Sequence, residues 1–152
     1  MTIFAYRFII VAMASDKKSK REVSTLIPYK RSEDKICFFM QRRDANAQRL
    51  PDYFAFFGGG VKSGETPENA MLREIKEELE YEPYRYKFFK RFEFPESINN
   101  VFIIEVDELF EDKIKVREGQ YGSFLSIEDI NQEKKISGSD KYVLWQIFTA
   151  LK

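Results

Sequence analysis

The chain has 152 residues, of which 43% are hydrophobic, which suits one compact domain with a single core. It contains 25 basic and 25 acidic residues and no histidine. The missing histidine excludes histidine-activated nucleophiles, histidine zinc ligands and histidine acid–base catalysis, and the balanced charge argues against a nucleic-acid polymer as partner.

The first 20 residues contain a short apolar run, Phe8–Ala12, and the start of a basic segment, Asp16–Arg21. The run is too short to span a bilayer and only faintly resembles a secretory signal, so residues 1–20 are expected to form an extra strand or a packed arm. The basic segment predicts a solvated turn between two strands. The lone Cys37 lies in an apolar stretch and predicts a buried residue, consistent with a cytoplasmic setting.

Strands dominate the rest of the chain. Runs of β-branched and aromatic residues predict strands over 22–29, 35–41, 53–57, 84–94, 100–106 and 120–126. The third of these is expected to stop at Gly58–Gly60. One helix begins with Thr66 as N-cap and closes before Pro83, and a second covers 139–151. Residues 1–152 are therefore expected to form a single α+β domain, an α/β/α sandwich with a mixed β-sheet flanked by helices.

The first helix carries an unusual set of acids. Glu74, Glu77 and Glu78 have i, i+3, i+4 spacing, which places them on one helical face and predicts that the three carboxylates converge. A divalent cation relieves the repulsion in such a set, and an all-oxygen site suits Mg²⁺ or Mn²⁺. Arg73 can orient one carboxylate. Taken alone, the same pattern also fits a solvated amphipathic helix, and three glycines alone fit a flexible turn.

The joint spacing of glycines and acids is more specific. Gly59, Glu65 and the run Arg73–Glu78 match every fixed position up to that point in a known signature. This pattern resembles the Nudix hydrolase signature, a loop–helix–loop motif. Two positions depart from it, because Glu80 replaces a glycine and Tyr81 replaces an aliphatic residue. Glu80 either adopts a left-handed helix cap at a cost of about 1 kcal/mol, or the helix runs on slightly.

The resemblance implies a Nudix fold and Mg²⁺-dependent cleavage of a diphosphate linkage in a nucleoside diphosphate derivative, with Mn²⁺ as a substitute ion. It implies that the backbone turns sharply at Gly58, Gly59 and Gly60 beside the metal and substrate. It also implies a set of metal-binding and catalytic residues: Glu65 as an outer ligand, Arg73, Glu74, Glu77 and Glu78. Without histidine, the base that takes the proton of the attacking water must be a carboxylate.

Three segments beyond the motif also resemble members of this family. Glu118 lies in a loop where MutT-type members place a further metal ligand or base, although a solvated loop acid remains open. Arg42 and Arg43 end a strand whose arginine often faces substrate phosphates, or they form a plain surface pair. Asp140 occupies a position that contacts the base in some members, or it is the N-cap of the last helix.

The substrate implied by the resemblance is a nucleoside triphosphate, cleaved to a nucleoside monophosphate and pyrophosphate. ADP-ribose or a nucleotide sugar is the alternative, and Pro95 lies where ADP-ribose-cleaving members carry a proline. Tyr53, Phe54 and Phe56 are candidates for stacking on a base, or they belong to the core. A nucleotide-sensing Nudix domain without catalysis is the alternative of another class. A homodimer remains open, and no membrane partner is expected.

Overall fold

The structure is a computed structural model, and it describes residues 19–152. Within this range the chain forms one seven-stranded sheet. Its strands are β1 (Arg21–Ser32), β2 (Lys35–Arg42), β3 (Phe54–Ala55), β4 (Phe57–Gly60), β5 (Lys87–Glu93), β6 (Ser97–Glu105) and β7 (Tyr121–Ser126). The helices are α1 (Pro67–Leu79), α2 (Ile127–Gln132) and α3 (Gly138–Leu151), with one 3₁₀ helix, Phe110–Lys113. The prediction for Phe8–Ala12 and the first half of the turn predicted over Asp16–Arg21 lie outside the described residues; Arg21 begins β1.

The sheet is mixed. Its main path runs in the order β3-β2-β1-β6-β5, with β4 paired to β1 and β7 paired to β2. The long β1 pairs in parallel with β6 and antiparallel with β2 and β4. The sheet and its helices form the α+β arrangement expected from the sequence. Among residues 19–152, no helix is both long and apolar enough to cross a membrane.

Alternating side chains of the central strands build a core on each face of the sheet. In β1, Leu26 contributes to the core under α1, and its neighbour Ile27 contributes to the core under α2 and α3. Phe39 in β2 faces α1, whereas Phe38 and Met40 face the other side. Both faces of these strands are covered, as the unbroken apolar run of β2 predicts.

Three strand predictions and one burial prediction need correction. Gly58–Gly60 does not stop a strand, because these glycines form most of β4 and pair with β1. The strand predicted over 84–94 begins only at Lys87, since Arg85 has a φ of 62° and interrupts the extended backbone. The strand predicted over 100–106 begins earlier, at Ser97. Cys37 is half-buried rather than buried, because it lies close to the β1–β2 turn.

The helix α1 begins and ends as the sequence allows. The Thr66 hydroxyl accepts from the Asn69 N–H at 3.1 Å, and Pro67 is the first helical residue. Glu80 ends the helix with φ 49° and ψ 41°, and its N–H donates to the Lys76 carbonyl at 3.0 Å. Of the two expectations for Glu80, the left-handed cap is therefore confirmed.

The sequence did not predict α2, and α3 begins one residue earlier than predicted. The short α2 is capped by Ser126 and Asp129, each side chain accepting from the other's backbone N–H. This capping box begins at Ser126, the last residue of β7. The start of α2 was therefore included in the predicted strand over 120–126 and was not recognised as a helix start. Ser137 caps α3, with its hydroxyl accepting from the Asp140 N–H at 3.2 Å. The N-cap alternative for Asp140 is therefore wrong, because Asp140 lies inside the first turn.

Candidate active site

Two glycines of β4 let carboxylates of α1 reach the sheet. The Gly58 N–H donates to Glu78 Oε2 at 2.9 Å, and Gly58 has a φ of +146°. A Cβ at Gly58 would overlap the Ser24 carbonyl oxygen, and a Cβ at Gly59 would overlap the Glu74 carboxylate. At Gly60 a Cβ would meet open space. The first two glycines are thus required by close approach, and the third is not.

Arg73 ties the loop, the helix and the strand together. Its guanidinium donates to both oxygens of Glu65 at 2.9 and 3.0 Å, to Glu74 at 2.7 Å and to the Gly60 carbonyl at 3.0 Å. These bonds from Arg73, with the Lys62 N–H at 3.1 Å, lower the pKa of Glu65 to about 2. The Glu65 carboxylate therefore holds Arg73 in place, and the structure does not leave it free as an outer ligand.

Glu78 and Glu118 form a carboxyl pair. The Glu78 side chain is buried, with only 5% of the residue exposed. Burial, followed by the hydrogen bond and the charge of Glu118, raises the pKa of Glu78 to about 9, although the Gly58 N–H opposes the shift. Two carboxylates in contact repel each other unless a proton or a cation lies between them. The pair is therefore a place where a bound cation can replace a proton.

The acids of α1 do not all converge as expected. Glu77 is 60% exposed at its side chain and lies 3.8 Å from Arg73, whereas Glu74 and Glu78 face one cavity together with Glu118. The same Arg73 nitrogen, Nη1, lies 2.7 Å from Glu74 and 3.8 Å from Glu77. Within residues 19–152, no three acidic, cysteine or histidine side chains lie close enough together to hold an ion as they stand.

The donor set nevertheless fits a hard divalent cation. The cavity-facing acids supply only carboxylate oxygens, which Mg²⁺ and Mn²⁺ prefer. A cation would also relieve the repulsion between Glu78 and Glu118. Glu74, Glu78 and Glu118 all line the same cavity, so they are the residues that would hold such a cation.

The cavity has a volume of about 500 Å³. It is lined by the motif glycines, by the acids Glu74, Glu78 and Glu118, and by the cations Arg21, Arg43 and Arg49. Of the two arginines singled out from the sequence, Arg43 lines the cavity. Arg42 does not, because it lies 4.8 Å over the Phe54 ring and 3.8 Å from Asp52.

Aromatic and amide groups form another part of this cavity. Phe56 and Phe94 line it, whereas Phe54 belongs to the core and Tyr53 does not line the cavity. Asn99, which sequence reasoning missed, is buried, and its Oδ1 accepts from the Thr25 hydroxyl at 3.0 Å. Two adjacent asparagines directly before the apolar run Val101–Ile104 are a signal that could have identified it, since buried amides need partners.

Asp140 also lines the cavity. Burial raises the pKa of Asp140 to about 6, while the Ser137 hydroxyl and the Arg49 charge act in the opposite direction. The structure thus brings Arg43, Asp140, Glu118 and two motif acids to one site. It leaves Arg42 outside the site.

Comparison with known proteins identifies the family. The family model of the NUDIX domain matches residues 20–146. The chain belongs to the Nudix family. An 8-oxo-dGTP diphosphatase of Escherichia coli K12 is 33% identical over 97 residues, covering 62% of this chain and 74% of that protein. The corresponding enzyme of Haemophilus influenzae is 33% identical over 109 residues, covering 70% and 76%.

A dihydroneopterin triphosphate diphosphatase of Escherichia coli K12 is 39% identical over 64 residues, which cover 42% of this chain and only 39% of that protein. Among solved structures, MutT from Aliivibrio salmonicida and Vibrio cholerae matches with a TM-score of 0.68 and 22% identity, over 87% of this chain and 99% of that chain. The NUDIX domain of Shewanella oneidensis NrtR, solved with ADP ribose, matches over the whole of both chains with a TM-score of 0.71 and 12% identity.

These likenesses define the class of enzyme. The chain is a MutT-like Nudix hydrolase, and the fold expected from the motif is confirmed. Nudix hydrolases act on small nucleotide substrates and generally use divalent metal ions. The identity of the substrate and of the metal are taken up below.

Proposed function

We propose that the protein hydrolyses a nucleoside triphosphate to a nucleoside monophosphate and pyrophosphate, with Mg²⁺ as the ion. The observation that carries the proposal is a single cavity that combines acidic side chains, arginines and aromatic rings. The relatives with the names 8-oxo-dGTP diphosphatase and dihydroneopterin triphosphate diphosphatase both act on triphosphates. A triphosphate needs several positive charges, and the arginines and the ion supply them.

Each group has a part in this reaction. Glu74, Glu78 and Glu118 would hold Mg²⁺, with Glu77 completing the set, and Mn²⁺ would substitute. When bound, the ion offsets phosphate charge and lowers the pKa of a bound water. Glu118 would accept the proton of the attacking water, since its loop lies beside the buried Glu78. Arg43 and its neighbouring arginines would orient the phosphates.

The base-reading groups favour a particular ring. Guanine, its 8-oxo form and dihydropterin share a carbonyl acceptor beside two N–H donors. An ionised Asp140 can accept from both donors, and the Asn99 amide nitrogen can donate to the carbonyl, because Oδ1 of Asn99 is already used by Thr25. Phe56 and Phe94 offer aromatic faces for stacking. We therefore favour 8-oxo-dGTP or a related triphosphate as the substrate.

A substrate panel tests this function. The purified protein is assayed with Mg²⁺ and with Mn²⁺ on nucleoside triphosphates, 8-oxo-dGTP, dihydroneopterin triphosphate, ADP-ribose, dinucleoside polyphosphates and nucleotide sugars. We expect pyrophosphate release that is greatest with a guanine-type triphosphate and absent in EDTA. Preferential cleavage of ADP-ribose would overturn the substrate class, and binding without turnover of any compound would favour a sensing domain.

The exposed motif acid gives the first prediction. Replacing Glu77 by glutamine should nearly abolish Mg²⁺-dependent turnover, because the set of ligands for the ion loses a charge. The free energy of unfolding should change by less than about 0.5 kcal/mol, since the side chain is 60% exposed. Steady-state rates and urea unfolding check both effects. Glu82→Gln, an exposed acid beyond the helix cap, serves as the control, and full activity of Glu77→Gln would contradict the metal assignment.

A second prediction concerns Asp140 and pH. Its folded pKa of about 6 lies above the ordinary value of 3.8, so the folded protein binds the proton more tightly. The free energy of unfolding should therefore fall as pH rises from about 4 to about 6, and Asp140→Asn should remove this fall. For a guanine-type triphosphate, KM should decrease over the same range as the carboxylate forms.

In the Asp140→Asn variant, KM for the guanine-type triphosphate should rise about tenfold and lose its pH dependence. The side-chain amide of asparagine has a single acceptor oxygen, so it can pair with only one of the two N–H donors of the base. Ser139→Ala, a neighbouring change in the same helical turn, provides the comparison for general disturbance. An unchanged KM and an unchanged ratio of guanine-type to adenine-type turnover would remove Asp140 from base recognition.

A further inference from the structure

The loop that carries Glu118 lies across the C-terminal end of α1. The Arg117 N–H donates to the Glu78 carbonyl at 2.7 Å, and the Lys115 N–H donates to the Leu79 carbonyl at 2.9 Å. The last carbonyls of a helix lack partners within the helix, so this loop satisfies them. The position of Glu118 is thereby coupled to the way in which α1 ends.

Glu80 adds a side-chain contact at the same place. Its carboxylate accepts from Arg117 Nη2 at 3.0 Å, and this contact lowers the pKa of Glu80. Glu80 occupies a left-handed conformation that is unfavourable for a non-glycine residue, whereas an exposed ion pair contributes little to the stability of the fold. Stability alone would therefore favour the glycine of the family pattern. The replacement of that glycine by Glu80 gives this chain the contact with Arg117.

A second anchor holds the loop from the sheet. Gln41 is 4% exposed, and its Nε2 donates to the Glu118 carbonyl at 3.0 Å. Gly119 has a φ of +81°, and a Cβ there would lie 2.6 Å from the Arg42 carbonyl oxygen, so the loop is pressed against β2. The Gln120 N–H donates to the same Arg42 carbonyl at 2.8 Å. The residues on both sides of the Glu118 side chain are thus held.

We propose that Gln41 and the Glu80–Arg117 pair are positioning residues that hold the Glu118 carboxyl against Glu78. The inference rests on the proposed function, in which these two carboxyls bind the ion and Glu118 accepts a proton. The pair replaces a glycine cap that would leave Arg117 without this partner. It makes Glu80 a functional departure from the family pattern.

A charge exchange tests the pair. The variants E80R and R117E should each lower kcat about fivefold with KM changed by less than twofold, because each leaves two like charges side by side. The double exchange E80R/R117E restores opposite charges and should return kcat to within twofold of the unmodified protein. The matched control is R31E/E105R with its two single variants, since Arg31 and Glu105 form an exposed pair at 3.2 Å and neither residue lines the cavity of the motif acids. None of these should change kcat.

Two further variants separate positioning from stability. E80G restores the family glycine, so it should keep or raise the melting temperature while lowering kcat about fivefold. Q41M keeps the side-chain length but removes the amide donor, and it should lower kcat about tenfold. Changes of kcat that followed the melting temperature in every variant, or an E80G variant with full kcat, would overturn the proposal.

Hydrogen exchange of the peptide that spans residues 115–120 provides a readout independent of activity. Exchange should be faster in E80R, R117E and Q41M, and the double exchange should restore protection. If the unmodified protein cleaves nothing in the substrate panel, the proposed function fails, and the exchange measurement still decides whether these residues hold the loop. Unchanged protection in all three single variants would overturn the positioning role, whatever the activity.

Discussion

Replacing Glu78 by glutamine is expected to lower turnover on the order of 10³-fold and, in the absence of metal, to stabilise the fold. The loss follows because a carboxylate that binds the ion contributes several kcal/mol to the transition state. The gain follows because Glu78 is 5% exposed and, with its pKa raised to about 9, must take up a proton at about pH 8 when the chain folds. A glutamine at this position can accept from Gly58 N–H and donate to Glu118, so both contacts are kept without the uptake of a proton.

Steady-state rates with Mg²⁺ and urea unfolding in EDTA at pH 8 measure the two effects. We expect the free energy of unfolding to rise by roughly 2 kcal/mol, within the range found when buried charges are replaced by neutral groups of similar shape. Glu77→Gln is the comparison, because it should lose activity without gaining stability. Near-normal turnover of Glu78→Gln would exclude it as a metal ligand, and a loss of stability would show that the carboxyl pair is not strained.

The second large effect is expected for Gly59→Ala. The added methyl group would overlap the Glu74 carboxylate, so Glu74 must move away from the cavity and lose its bond of 2.7 Å with Arg73. We expect turnover to fall on the order of 10²-fold and the free energy of unfolding to fall by about 1–3 kcal/mol, as for overpacking in a dense region.

Gly60→Ala isolates the cause of the loss in stability. Gly60 lies in the same strand, but a Cβ there would meet open space. Its free energy of unfolding should stay within about 0.5 kcal/mol of the unmodified protein. Urea unfolding of the two variants, together with rates for Gly59→Ala, checks the expectation. Equal free energies of unfolding for the two variants would show that Glu74 moves aside without loss of stability. The steric explanation for Gly59 would then be wrong.

Local signals in the sequence predicted the helix α1 well. Thr66 and Pro67 specify its start, and its apolar stripe specifies the face that packs on the sheet, since both depend on neighbours within a few residues. The spacing of Gly59 and the motif acids was sufficient to predict the family and the fold. The same local reading failed for Gly58–Gly60, because a glycine run resembles a turn unless the partner strand and the overlying helix are known.

Long-range contacts account for the rest of the site. Asn99 comes from β6 and Asp140 from α3, and only the folded sheet and helix bring them to the cavity of the motif acids. The choice between Arg42 and Arg43 also depended on tertiary structure, because Arg42 ends β2 and packs over the Phe54 ring, whereas Arg43 follows the strand and lines the cavity.

The sequence alone determined that this protein carries a carboxylate-based site without histidine, because composition and motif spacing need no fold to be read. Tertiary structure decided which carboxyls meet. Glu78 and Glu118 are far apart in the chain, and their contact depends on a loop packed between α1 and β2. Tertiary structure also brought Glu80 together with Arg117, which is distant from it in the chain. The helical face that carries the motif acids can be predicted from residue spacing, but the contact of this face with the loop that carries Glu118 cannot.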